Sequence, residues 1–199
     1  MRKIFVSEFL TLDGVMQAPG APDEDRRDGF EHGGWQMPYF DDVLGSAITE
    51  AMNATGGFLL GRRTYEIFAG YWPSAPADDE LAAQLNDLPK FVVSTTLQEP
   101  LEWNNSTLIR GDVADGIAEL KQQPGKDLQV IGSGDLVQTL MQHDLVDQYR
   151  LMVYPIVLGS GRRLFRDGSA TTALRLVDSA TTGTGVLILT YEPGGRAGS

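Results

Sequence analysis

Three short segments carry residue types suited to holding an anion. Gly61-Arg62-Arg63-Thr64, Ser94-Thr95-Thr96 and Gly132-Ser133-Gly134 each follow a short apolar run and precede a helical stretch or a turn. Glycine at such a junction lets backbone N–H groups approach a phosphate, and the start of a helix adds partial positive charge. Gly132-Ser133-Gly134 falls short of a G-x-G-x-x-G because Val137 takes the last place, and it is no P-loop because no Gly-Lys-Ser/Thr occurs. Alone it reads equally well as a tight strand-to-helix turn. Arg62 and Arg63 sharpen the picture, because a cation at a helix start opposes the dipole by roughly 0.3–1 kcal/mol. Either an anionic ligand offsets that cost, or the pair is solvated against nearby carboxylates. Ser94, Thr95 and Thr96 add hydroxyl donors, or simply make a strand-exit turn. Together the three sites favour a ligand with several phosphates, such as a dinucleotide.

Acids and rings form a second set. Glu8 shares a face with Val6 and Leu10 by strand alternation. An acid on an apolar face either lines a pocket or meets an ion-pair partner. In a pocket its pKa rises, and it becomes a proton donor for reduction of a C=N or C=O bond. Asp13 is a turn residue that also edges such a pocket. Trp35 follows Gly33-Gly34 and precedes Tyr39 and Phe40. Its flat surface suits a ring-shaped substrate, although tryptophan also serves as packing with a polar handle. Arg162 and Arg163 either steer an acidic substrate or sit solvated at a hairpin tip.

Composition bounds what these residues can be doing. The chain has 199 residues, 42% of them hydrophobic, and a net charge of −11. That is globular composition, with too little positive charge for a nucleic-acid binder or for docking on an anionic membrane. There is no cysteine and there are only two histidines, so thiolate chemistry is excluded and no HExxH-type metal site exists. No apolar run approaches the ~18 residues that span a bilayer, and no signal core follows the basic start. A soluble cytoplasmic protein is expected.

The elements that must position these groups alternate. Arg2–Phe9 reads as a first strand, closed by a turn at Thr11–Gly14. The polar, broken stretch Gln17–Trp35 reads as a surface loop. Asp41–Asn53 has helical spacing, ended by Gly56-Gly57 before a short strand Phe58–Leu60. A helix follows from Arg62 to Ala69, then a short helix Asp78–Leu85 and strands at Phe91–Val93 and Thr107–Ile109. Asp112 caps the next helix, Leu128–Ile131 is a strand, and a helix carries Leu136, Leu140 and Met141. Tyr149–Leu158 reads as a long strand whose Pro155 marks an edge or bulge. Leu174–Val177 and Val186–Tyr191 form a final hairpin. This order predicts one α/β domain over residues 1–192, with a mixed, mostly parallel central sheet between helical layers, an antiparallel C-terminal hairpin and a flexible tail over 193–199.

The ordered set Thr11-Leu12-Asp13-Gly14-Val15, Gly33-Gly34-Trp35, Leu60-Gly61-Arg62-Arg63-Thr64-Tyr65-Glu66, Val92-Val93-Ser94, Val130-Ile131-Gly132-Ser133-Gly134 and Pro155-Ile156-Val157-Leu158-Gly159-Ser160-Gly161 resembles the dihydrofolate reductase-like superfamily. The match is closest to the branch containing the C-terminal reductase domain of the bacterial riboflavin-biosynthesis protein RibD. The resemblance implies a three-layer α/β/α fold with NADPH across the strand ends. By motif position Gly61, Arg62, Arg63 and Thr64 would serve its phosphates, Ser94 and Thr95 the adenosine 2′-phosphate, and Gly132, Ser133, Gly134 and Asp135 the pyrophosphate and nicotinamide side. Asp135 departs from that pattern in physical terms, since a carboxylate beside a diphosphate is unfavourable unless it points away. The resemblance further implies a substrate-holding carboxylate on the first helix, for which Asp41 and Asp42 are the candidates, and a homodimer. It departs from the riboflavin reductases at Ala54-Thr55-Gly56-Gly57 and at Gly132-Ser133-Gly134, which bears on the substrate. The expected activity is NADPH-dependent reduction of a small heterocycle, pterin or aminopyrimidine in type, with Glu8, Asp13 and Asp42 as catalytic candidates and Trp35 and Asp41 for substrate. A rival from another class is a nucleotide-binding or stress-related interaction protein that keeps the cleft without turnover.

Overall fold

A computed structural model describes residues 1–194. Its eight strands are β1 (Ile4–Thr11), β2 (Thr55–Gly61), β3 (Lys90–Val93), β4 (Ser106–Ile109), β5 (Asp127–Ile131), β6 (Gln148–Tyr154), β7 (Leu174–Thr181) and β8 (Leu187–Pro193). They form one sheet in the order β4-β3-β2-β5-β1-β6-β8-β7. All pairings from β4 to β6 are parallel, while β8 runs antiparallel to both β6 and β7. The mixed, mostly parallel sheet and its antiparallel hairpin are those expected from the chain order.

Five helices cover the sheet: α1 (Asp42–Ala54), α2 (Arg62–Tyr71), α3 (Glu80–Asp87), α4 (Val113–Gln122) and α5 (Gly134–Gln142). Alternation along the strands sorts the core into two layers. Ile4, Val6 and Leu10 of β1, Leu59 of β2 and Leu128 and Val130 of β5 pack with Ile117 and Leu120 of α4 and Leu136 and Leu140 of α5. Phe58 and Leu60 of β2 and Val92 of β3 face the other way, with Met52 of α1, Tyr65 of α2 and Leu85 of α3. Connections moving one way along the sheet carry α1 to α3, and those returning carry α4 and α5, as right-handed crossovers demand. The reversal falls between β2 and β5, whose connections through α2 and α5 lead away in opposite directions, and there an open sheet of this kind places its ligand crevice.

Three sequence expectations change. Gly56 and Gly57 lie inside β2 instead of ending α1, because a side chain at Gly56 would come within 2.7 Å of Lys126 at the entry to β5. β6 stops at Tyr154, before Pro155, and is internal between β1 and β8, so the proline marks a strand end and not an edge. Arg162 and Arg163 stand in the long connection from β6 to β7, where Arg163 forms an isolated bridge to Val15, and not at a hairpin tip. At the expected tail, Pro193 closes β8 and Gly194 donates to the Ala173 carbonyl at 2.8 Å, while residues 195–199 lie outside those described.

Candidate functional site

Parallel pairing brings the carboxyl ends of β2, β3 and β5 to one side of the sheet, so all three predicted anion segments meet there. Phe58 pairs with Gln129, which sets Gly61 level with Gly132. Ser133 joins the two turns: its hydroxyl accepts from the Gly61 N–H at 2.8 Å and donates to the Thr64 hydroxyl at 2.9 Å. The approach needs Gly132, at φ +59, because a Cβ there would lie 3.0 Å from Thr64 Oγ1. Ser133 itself takes the left-handed conformation at φ 65, a strain of order 1–3 kcal/mol that the hydrogen bonds hold in place. Met16 then packs on Gly134, so the segment after β1 closes over the start of α5.

The helix starts differ in a telling way. Asp41, Asp79 and Asp112 cap α1, α3 and α4 with their carboxylates. Gly61 and Ser133 begin α2 and α5 with no side-chain cap, leaving the first-turn N–H groups of both helices without a side-chain acceptor. The two open helix starts are the two that Ser133 ties together.

Charge around them is more balanced than the sequence implied. Arg62 pairs with Glu66 at 2.9 Å. Arg63 lies 3.7 Å from Glu66 and 3.8 Å from Asp25, and its buried Nε has no partner. Asp25 is buried and grips Arg27, whose Nε donates to both carboxylate oxygens at 2.9 and 3.0 Å. Asp135 points to Arg166 at 2.8 Å, which resolves its awkward place near a diphosphate seat. At the end of β3 the Ser94 hydroxyl accepts from the N–H groups of Thr96 and Leu97, so it builds the turn, while Thr95 is exposed.

The acids part company. Glu8 is buried on the α5 side of β1, one residue beyond the Ser7–Ile131 pair where β5 turns away. Its Oε1 is sealed and makes no hydrogen bond, and burial raises its pKa well above the glutamate value. Asp13 does a different job from the proton donor considered above. Partial burial pushes its pKa up, but hydrogen bonds from the Thr11 hydroxyl and the Leu158 and Gly159 N–H groups outweigh that and bring it to about 2. With Arg163 also at 3.2 Å, Asp13 is a latch between two loops and stays ionised. Asp41 is likewise a structural group: it caps α1 through the Leu44 N–H and accepts from Thr184. Asp42 sits on the exposed side of α1, in a shallow hollow with Phe40, Ser46 and Glu50. Trp35 is buried edge-on to Tyr154 at 5.1 Å and donates its ring N–H to the Gln17 carbonyl, so it packs instead of presenting a face to substrate.

Asp25, Arg27 and Arg166 were not legible as site residues. Asp25 and Arg27 sit in the stretch that reads as a surface loop and Arg166 in the connection from β6 to β7, and the signal that docks the first loop is one buried glutamine. Gln17 donates to the carbonyls of Asp25 and Arg27 and accepts from the Arg162 N–H.

The fold is that of an α/β protein with a mixed, mostly parallel sheet and two open helix starts at one end of it. The chain belongs to the RibD C-terminal domain family, whose model matches residues 2–188. It is 28% identical over 194 residues to the uncharacterised protein YyaP of Bacillus subtilis (strain 168), covering 96% of this chain and 95% of that one. A second protein of that organism, YwjB, also uncharacterised, is 31% identical over 118 residues, covering 59% of this chain and 63% of its own length. Among solved structures, a Shewanella sp. PV-4 protein named for riboflavin biosynthesis aligns with a TM-score of 0.74 at 23% identity, over 96% of this chain and 98% of that chain. A pyrimidine reductase-like protein from Corynebacterium diphtheriae aligns at 0.66 and 11% identity, over 96% and 92% of the two chains. At those identities the likeness is one of fold.

Proposed function

We propose that this chain is an NADPH-dependent reductase of a small heterocyclic substrate, pterin or aminopyrimidine in type. The observation that carries this reading is the pair of uncapped helix starts, α2 and α5, locked side by side through Ser133. Open N–H groups at two adjacent helix starts make a seat for a diphosphate. The orphaned Arg63 Nε beside them is a donor in want of an acceptor, which fits a phosphate-bearing group. Gly61, Thr64, Gly132, Ser133 and Gly134 would hold the diphosphate, Arg62 and Arg63 its charge, and Thr95 with the Ser94 turn the adenosine end.

A nicotinamide cofactor supplies a hydride when bound. The protein's own contribution is a proton and a dry wall. Glu8, kept protonated by burial, would hold the proton on β1, the strand next to β5, one residue beyond the last pair between them. We further infer that residues 1–192 form one unit and that the protein is a homodimer. The test is a fluorescence titration with NADPH and NADH, followed by a screen of pterins, pyrimidines and quinonoid compounds for NADPH oxidation. Binding with oxidation of one of these classes is expected. Binding without oxidation across the panel favours the non-catalytic alternative, and failure to bind either nucleotide overturns both.

A further inference from the structure

We propose that Asp25 is an internal stand-in for the diphosphate of the nucleotide, and that Arg27 becomes a ligand of that diphosphate once Asp25 is displaced. The inference rests on the reading of Arg63 as a phosphate-binding residue. Asp25 is a buried carboxylate on a loop otherwise rich in exposed charge, and it lies 3.8 Å from Arg63 at the start of α2. It reaches that place because Gln17 holds the carbonyls of Asp25 and Arg27 on either side of Arg26. Arg27 grips both oxygens of Asp25 and also feels Asp135 in the first turn of α5. Two ion-paired groups therefore stand at the two open helix starts, Arg63 with Asp25 and Arg27, and Asp135 with Arg166, with Arg27 within electrostatic reach of Asp135.

Three arginines face two aspartates across these groups, and Glu66 stands 3.7 Å from Arg63. A carboxylate offers two acceptor oxygens and one negative charge. A diphosphate in the same place offers more acceptors and two charges, and planar guanidinium groups receive it at least as well. Exchange of one anion for the other leaves the half-exposed Arg63 and Arg27 paired throughout. Asp25 also blocks ligands that bring no anion, since they would leave it in place and find the arginines occupied. Arg27 is thus a phosphate-binding residue delivered by the loop that follows β1.

The probe is ADP-ribose, which carries the diphosphate without the nicotinamide, with binding read by calorimetry. Asp25→Asn is expected to tighten ADP-ribose by about tenfold, the effect of removing one competing charge pair. Asp23→Asn makes the same change in net charge on the exposed part of the loop, where Asp23 pairs with Arg26, and is expected to leave the affinity unchanged. Arg27→Gln is expected to weaken binding by about tenfold while Arg26→Gln has no effect. On the unaltered protein, the carboxyl carbon resonance of Asp25 is expected to shift on saturation with ADP-ribose while that of Asp23 stays put, a measurement independent of how the variants fold. Equal affinities for the Asp25 and Asp23 variants, no loss in Arg27→Gln, or an unmoved Asp25 resonance each overturn the inference and leave the nucleotide reading intact. An unaltered protein that does not bind ADP-ribose overturns the two together.

Discussion

Glu8 on β1 and Arg63 at the start of α2 are the residues whose buried side-chain atoms find no hydrogen-bond partner among those described. For Glu8 the consequence is a trade between chemistry and stability. An unpaired carboxylate in an apolar layer is too costly to keep ionised, so the group takes up a proton on folding. Its folded pKa is raised, so the folded state binds the extra proton above pH 4.5, and stability falls as pH rises from there through the folded pKa. Glu8→Gln keeps the shape and removes the titration. That variant is expected to melt higher than the parent at pH 8, with the gap closing toward pH 4.5, while its turnover drops by about 100-fold or more. Melting curves at the two pH values and one kinetic assay check this; a variant equally stable and fully active would return Glu8 to the role of core filler. Asp13 shows the opposite balance, since the hydrogen bonds that pull its pKa to about 2 also bar it from donating a proton at neutral pH.

At the scale of elements, the site is a joint between two strand-to-helix turns. Ser133→Ala removes the acceptor of the Gly61 N–H and the donor to Thr64. The loss is expected to cost about 1–3 kcal/mol of stability and to weaken nucleotide binding, read by denaturant unfolding and fluorescence titration. An unchanged affinity would mean that the two turns bind independently. Much of this layer was legible in the sequence. Asp112 before Ile117 and Leu120, or Leu128–Ile131 running into Gly132-Ser133-Gly134, announce cap, strand and turn through local preferences, and each lies where expected. The acids were harder. Whether Glu8, Asp13, Asp41 or Asp42 is sealed, latched, capping or solvated depends on what comes from far along the chain: Leu158, Gly159 and Arg163 for Asp13, Thr184 for Asp41. Local pattern carries no trace of such partners. The Gln17–Trp35 loop hid its docking for the same reason, since one glutamine among polar neighbours gives no periodic signal.

Across the whole molecule, the net charge of −11 keeps the surface acidic, while Arg27, Arg63, Arg162, Arg163 and Arg166 pair with aspartates of the segment after β1 and of the start of α5. Among the described residues no helix is long and apolar enough to cross a membrane. The two ends of the sheet are unlike. Helices cover β1, β2 and β5, but none of the residues of β7 and β8 is buried, and Leu176, Val177 and Leu187 are exposed. An open sheet end with apolar side chains is where a second copy is expected to pack. Leu176→Glu combined with Leu187→Glu is expected to convert a dimer to a monomer in sedimentation, and a parent that already sediments as a monomer refutes the dimer. The strand order also has a consequence in time. β1 is made first, yet both of its neighbours, β5 and β6, come from residues 127–154. During synthesis the opening strand must wait, unpaired, while β2, β3 and β4 are laid down beyond it. Glu8 is therefore expected to stay hydrated and charged until Leu151, its partner on β6, has been made, and to become a buried acid only when β5 and β6 close around β1.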